Sequence, residues 1–129
     1  MDEKLQQKLY DDFPKIFRQH TLPMSETCMC WGVDCSDGWE WLIRNLCSQL
    51  QWDIDNNGYP QLEASQIKEK FGTLRFYADH SNEKQQAMIS FAESLSAGIC
   101  ETCGTTKNVK TNGKGWVRTL CENCRKEEK

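Results

Sequence analysis

The sequence predicts an α+β fold, with helices packed on a small antiparallel β-hairpin or sheet and a C-terminal zinc ribbon. Three observations carry this. Apolar residues recur at helical spacing in three segments, two alternating segments flank Gly72, and two CxxC pairs stand near the C-terminal end of the sequence. The 129 residues fit one ordinary domain, and the eight glycines and three prolines show no repeat that would indicate collagen or low complexity.

The first predicted helix covers residues 3–19, where Leu5, Leu9, Phe13, Ile16 and Phe17 recur at helical spacing. Pro14 predicts a kink or a second start within it. Residues 20–36 have no period and read as an ordered loop. The second helix opens at Asp37, with Glu40 three residues on completing a capping box. Its stripe is Trp39, Leu42, Ile43, Leu46 and Leu50, with Trp41 off the stripe, and Asn56-Asn57-Gly58 reads as a turn. Residues 61–69 and 73–78 are the predicted strands. Leu74, Phe76 and Ala78 suit a core face, while Thr73, Arg75 and Tyr77 suit a polar one. The third helix begins at Asn82, paired with Gln85. Ala87, Met88, Phe91, Ala92 and Leu95 are its expected buried stripe, and Gly98 its C-terminal cap. Residues 1–98 thus form an α+β core, and residues 99–129 a ribbon tail packed on it. That tail is too small to hold together without a staple.

The staple is Cys100, Cys103, Cys121 and Cys124. A CxxC turn places two sulfurs on one side of a tight loop. Two such loops joined by a hairpin, expected at 107–111 and 116–120, bring four thiolates to the corners around Zn²⁺. With four protein ligands the site is structural, with no open position for catalysis. A redox CxxC is the rival reading. Cys28, Cys30, Cys35 and Cys47 read as buried or partly buried thiols; a second zinc, with Cys47 or His20 as fourth ligand, is the alternative. Asp53, Asp55, Asn57 and Gly58 imitate half of a calcium loop. Ala64 occupies the position of the bidentate glutamate, so a polar turn is the better reading.

Residues 66–77 pack three cations and three aromatics into twelve positions. Lys68, Lys70 and Arg75 offer contacts to phosphate or carboxylate. Tyr77, Phe71 and Trp31 offer rings for stacking a base. The bland alternative is a solvated hairpin in which Arg75 bridges to an acid and Phe71 is core. Trp39, Trp52 and Trp116 are expected in the core, with Trp31 and Trp41 at a pocket or core edge. No paired-carboxylate, Ser-His-Asp, P-loop or GxGxxG pattern appears, so no enzyme is expected. The formal net charge is −3, and the ribbon's cations Lys107, Lys110, Lys114 and Arg118 are few, which argues against a generic nucleic-acid binder. The N-terminal MDEKLQQKLYDD has neither a basic flank nor an apolar run, and no stretch approaches eighteen apolar residues. The expectation is a cytoplasmic protein with reduced thiols and no membrane partner.

The strings DGWEWLIRNL, QIKEKFGTLRFY, AESLS, CETCG and GWVRTLCENC make residues 30–124 resemble a widespread group of short, uncharacterised phage and prophage proteins. One departure is Ser36, where many relatives would carry glycine after the cysteine. The resemblance implies a viral accessory protein without enzymatic activity, working in the bacterial host's cytoplasm. Proteins of this build often oppose host defence. Sponge proteins of the Sequestin and Lockin kind sequester nucleotide signals of Thoeris, and others do so for CBASS. The first expected function is therefore sequestration, without turnover, of an ADP-ribose derivative or cyclic nucleotide by Lys68, Lys70, Phe71, Arg75, Tyr77 and Trp31. The alternatives are a protein-binding inhibitor of a host enzyme, using a Trp41 and Trp31 patch, and a zinc-ribbon nucleic-acid accessory. The thin core leaves room for a homo-oligomer.

Overall fold

A computed structural model describes residues 1–113 and 115–127. Lys114, one of the ribbon cations named above, and residues 128–129 lie outside the described residues.

Helix α1 (Glu3–Asp12) is capped by the Asp2 carboxylate, which accepts from the backbone N–H of Lys4 at 3.0 Å and of Leu5 at 3.2 Å. It ends well before residue 19. A residue preceding proline is pushed out of the helical region, and Phe13 has φ −129° and ψ 59°. Ile16 and Phe17 are still fully buried, from a turn rather than a helix. The loop at 20–36 is ordered, as expected, and ends in strand β1 (Val33–Asp34).

Helix α2 (Glu40–Asn57) follows a short 3-10 turn at Asp37–Trp39. The expected capping box is absent. The residue at the cap is Trp39, and Asp37 instead accepts from the backbone N–H of Asp2 at 2.7 Å. The predicted stripe does face the core: Leu42, Ile43, Leu46 and Leu50 are buried, joined by Cys47 and Ile54. Asp53 to Asn57 are helical, so no calcium loop exists, and Gly58 closes the helix in the left-handed conformation.

Strands β2 (Glu63–Lys70) and β3 (Thr73–Asp79) form the predicted hairpin. Both loop residues have positive φ, 53° at Phe71 and 84° at Gly72, as a type I′ turn requires. The sheet is mixed rather than wholly antiparallel, because β1 pairs parallel to β2 through Val33–Ile67 and Asp34–Lys68. Ile67, Leu74 and Phe76 point into the core.

Helix α3 (Glu83–Ser96) starts with the predicted Asn82–Gln85 capping box. It ends at Ala97, and Gly98 is not left-handed. Its face is rotated from the expected one. Gln85, Ile89, Ala92 and Ser96 are buried, whereas Ala87, Phe91 and Leu95 are exposed. The cause lies in β3, whose outer edge has no strand partner. The Leu74 N–H donates to Ser96 Oγ at 2.8 Å and the Phe76 N–H donates to Glu93 Oε2 at 2.9 Å. Buried backbone donors need acceptors, so the helix turns a polar edge inward.

The C-terminal module consists of strands β4 (Val109–Thr111) and β5 (Thr119–Cys121) and helix α4 (Glu122–Glu127). Its strands are shorter than expected, and its second CxxC lies across a strand end and the first turn of a helix. It has its own small apolar cluster of Cys100, Leu120, Cys121 and Cys124.

Candidate metal centre and binding surfaces

The two CxxC segments meet because each is a tight turn at one end of the β4–β5 hairpin. Gly104 N–H donates to Cys100 O at 2.9 Å, closing the first turn, and Cys124 N–H points at Cys121 Sγ at 3.4 Å in the second. Cys100, Cys103, Cys121 and Cys124 place their sulfurs within 4.8 Å of one another, an arrangement of the size that holds one metal ion. Burial works against the Cys100 thiolate. The backbone N–H groups of Cys103, Cys121 and Thr102 outweigh it and draw that thiol down to about 7. The Cys124 thiol is pushed up, chiefly by its contact with Cys121.

The module is bolted to the core at three points. Trp39, fully buried, donates its indole Nε1–H to Ile99 O at 2.9 Å. Gly38 N–H donates to Glu101 O at 2.7 Å, and Ser36 N–H to Glu101 Oε2 at 3.0 Å. At the hairpin tip Thr119 Oγ1 donates to Gly72 O at 2.6 Å. A side chain at Gly72 would come within 2.9 Å of Thr111 Cγ2, so the turn glycine also permits this close approach.

The other cysteines do not assemble. Among the described residues, the only group of three or more such ligands is the C-terminal one. Cys35 and Cys47 are buried, and burial pushes the Cys35 thiol up to about 12 and raises Cys47 as well. Cys28 and Cys30 are exposed, contrary to expectation. His20 stacks on Tyr10, ring centroids 4.1 Å apart.

The register places Lys68, Lys70, Arg75 and Tyr77 together on the face of the hairpin away from the core. Lys68 stands directly opposite Arg75, and Asp34 lies across from Lys68 on β1. Among the described residues none of the three cations has a carboxylate within ion-pair distance, so the alternative in which Arg75 bridges to an acid is not met. Arg75 Nε–H is buried and donates to nothing. Phe71 is not core: it is 70% exposed at the turn, and Trp31 is exposed in its loop. Trp52 and Trp116, both expected in the core, are exposed too.

The structure adds two surfaces, the first of which includes Trp41 at the pocket expected of it. Between α2 and α3 runs an apolar groove of about 540 Å³ lined by Trp41, Leu46, Ala87, Met88, Phe91 and Leu95 among others. It exists because α3 is rotated. Where the hairpin tip meets the module there is a second cleft, made of two adjoining hollows that share Glu69 and Trp116. One part, about 260 Å³, is lined by Glu69, Phe71, Trp116 and Val117. The other, about 420 Å³, is lined by Asp34, Ser36, Glu69, Glu101, Trp116 and Arg118 among others. The signal in the sequence was the bulky residue in a Phe-Gly turn, a position that ordinarily takes asparagine or aspartate.

Fold and site define an α+β protein with a C-terminal four-cysteine cluster. No helix among the described residues is long and apolar enough to cross a membrane. Comparison of the chain with protein-family models, with curated proteins and with solved structures finds no match in any of the three.

Proposed function

We propose that this is a non-catalytic binding protein of phage or prophage type, with its C-terminal module held by structural Zn²⁺ and its hairpin face sequestering a nucleotide-type anion in the host cytoplasm. The observation that carries the reading is the Lys68–Arg75 pair. Directly opposed like charges on a sheet face destabilise it. Among the described residues neither has a carboxylate within ion-pair distance, although Asp34 is the cross-strand neighbour of Lys68, and Arg75 Nε–H has no acceptor. An anion bridging both side chains supplies what the protein leaves out. Lys70 extends the positive strip and Tyr77 offers a half-exposed ring for a base. Zinc fits the cysteine cluster on distance: a Zn–S bond of about 2.3 Å in a tetrahedron gives sulfur–sulfur edges of about 3.8 Å. Cys103 Sγ and Cys121 Sγ are 3.8 Å apart.

The test is a thermal-shift panel of linear and cyclic ADP-ribose species and cyclic dinucleotides on the metal-loaded chain. Binding to the folded state alone raises the midpoint with ligand excess. Arg75→Ala is expected to abolish the shift while the variant stays folded, and the ligand should leave unmodified after denaturation. No shift with any member, or a cleaved product, would end this reading.

The apolar groove between α2 and α3 favours a second reading, a protein-binding inhibitor that seats an apolar partner segment around Trp41 and Phe91. Phe91→Asp, which sits on that exposed rim, should then release one host protein that the native chain retains.

A further inference from the structure

The cleft at the joint between hairpin and metal module differs in character from the cationic hairpin face. Three carboxylates line it, those of Asp34, Glu69 and Glu101. Against them stand Arg118 and the terminal amine of Met1, which donates to Val33 O at 3.4 Å. Two aromatic side chains from different elements flank its mouth, Phe71 and Trp116, exposed to 70% and 78%.

Glu101 is the unusual member. Its side chain is only 5% exposed, and Oε2 is taken by Ser36 N–H. Oε1 is buried and forms an ion pair with Arg118 Nε at 3.7 Å, but accepts no hydrogen bond. A buried carboxylate oxygen that is ion-paired but not hydrogen-bonded is only partly compensated for its desolvation, and a closer donor from outside would complete it. Glu69 faces the same cleft and holds Gly72 N–H at 2.7 Å through Oε2.

Phe71 is the second unusual member. Its φ of 53° is a left-handed conformation that a bulky side chain adopts only at a cost, yet most of the residue stays exposed. Strain of this kind collects where a side chain must be held out for a ligand. A ring face attracts cations, and Lys70 Nζ already stands 5.7 Å from the Phe71 centroid.

We propose that this cleft binds a cationic side chain of the arginine type, its planar fork donating to Glu101 Oε1 and Glu69 while its face lies against Trp116 and Phe71. Planar guanidinium suits both partners, since it pairs with carboxylates through two parallel bonds and stacks on aromatic rings. The natural source is an exposed arginine of a partner protein. The proposal does not depend on the anion site, because Lys68, Arg75 and Tyr77 line neither part of the cleft.

The test uses the full-length, metal-loaded chain labelled with ¹⁵N and two probes, N-acetyl-arginine amide and N-acetyl-citrulline amide. They have nearly the same shape and differ in charge. The indole signal absent from Trp116→Phe identifies Trp116 among the five tryptophans. Arginine amide is expected to move that signal saturably, with the other four still, and to bind at least about tenfold tighter than citrulline amide. Glu101→Gln keeps an acceptor for Ser36 and should erase the difference between the probes. Phe71→Asn, which suits the turn, should weaken binding with the fold intact. Equal binding of the two probes, a shift spread over all the tryptophans, or full binding by Phe71→Asn would overturn the proposal.

Discussion

Gly38→Ala separates the attachment of the metal module from the metal itself. A Cβ built on Gly38 falls inside contact distance of the Cys100 and Glu101 carbonyl oxygens and 2.5 Å from the Glu101 carbonyl carbon. These are backbone atoms, so no rotamer relieves the overlap, and the two segments must part by about 1 Å to restore ordinary contact. The Gly38 N–H to Glu101 O bond at 2.7 Å is lost, at a cost of about 1–3 kcal/mol if the groups stay dry. The overpacking itself adds about 1–3 kcal/mol. Together this is about 2–6 kcal/mol, a large part of a small domain's stability. For a chain of this length it corresponds to a fall in midpoint of roughly 8–24 °C. The assay is thermal unfolding by circular dichroism of zinc-loaded native chain and variant, with the rate of zinc loss to a chelator as second readout. Gly113→Ala is the control, because open space surrounds that residue. A Gly38→Ala midpoint within about 2 °C of both would refute the tight joint.

Three further outcomes are expected. Elemental analysis should find one zinc per chain, and stripping it with a chelator should unfold residues 99–127, seen as lost amide protection there, since the module's own apolar cluster is only four residues with Val109 alongside. Phe71→Asn should raise stability by about 1 kcal/mol in thermal unfolding, because asparagine tolerates the left-handed position that phenylalanine resists; a lowered midpoint would show that Phe71 is not strained. Arg18, bonded at 2.6 and 2.8 Å, holds the Glu63 carboxyl below its ordinary value. A lowered folded-state pKa gives stability that is present above the unfolded value of 4.5 and is lost as pH falls through the folded one. Arg18→Gln should therefore lower stability slightly at neutral pH, a small loss because Arg18 is largely exposed and screened, and leave it unchanged below the folded-state value, so that the acid side of the stability–pH curve is flattened.

What could be read from sequence was local. The α2 stripe, the hairpin about Gly72, the Asn82 capping box and the CxxC spacing all depend on neighbours within a few residues, and all are present. Misreadings arose where a distant demand overrode a local pattern. Ala87, Met88, Phe91, Ala92 and Leu95 form a convincing apolar stripe, but the bare edge of β3 needs acceptors, so Glu93 and Ser96 turn toward it; Ala92 stays buried and Met88 half-buried, while Ala87, Phe91 and Leu95 face out. Asp37 has the chemistry of a helix cap and is taken instead by the backbone of Asp2. The two-residue strand β1 has too little pattern to find, and only its pairing with β2 defines it. The joint cleft draws on residues 34–36, 69–71, 101 and 116–118, which no motif links.

The bond from Trp39 Nε1 to Ile99 O also bears on how the chain is made. Its two ends are 60 residues apart, and the acceptor is synthesised last. At about 5–20 residues per second, roughly 3–12 s pass between the emergence of the tryptophan and of its partner. During that interval the largest core side chain lacks its folded-state acceptor and must leave its indole N–H to water. The four-sulfur cluster is likewise incomplete until Cys121 and Cys124 are made, after the whole of the α+β core.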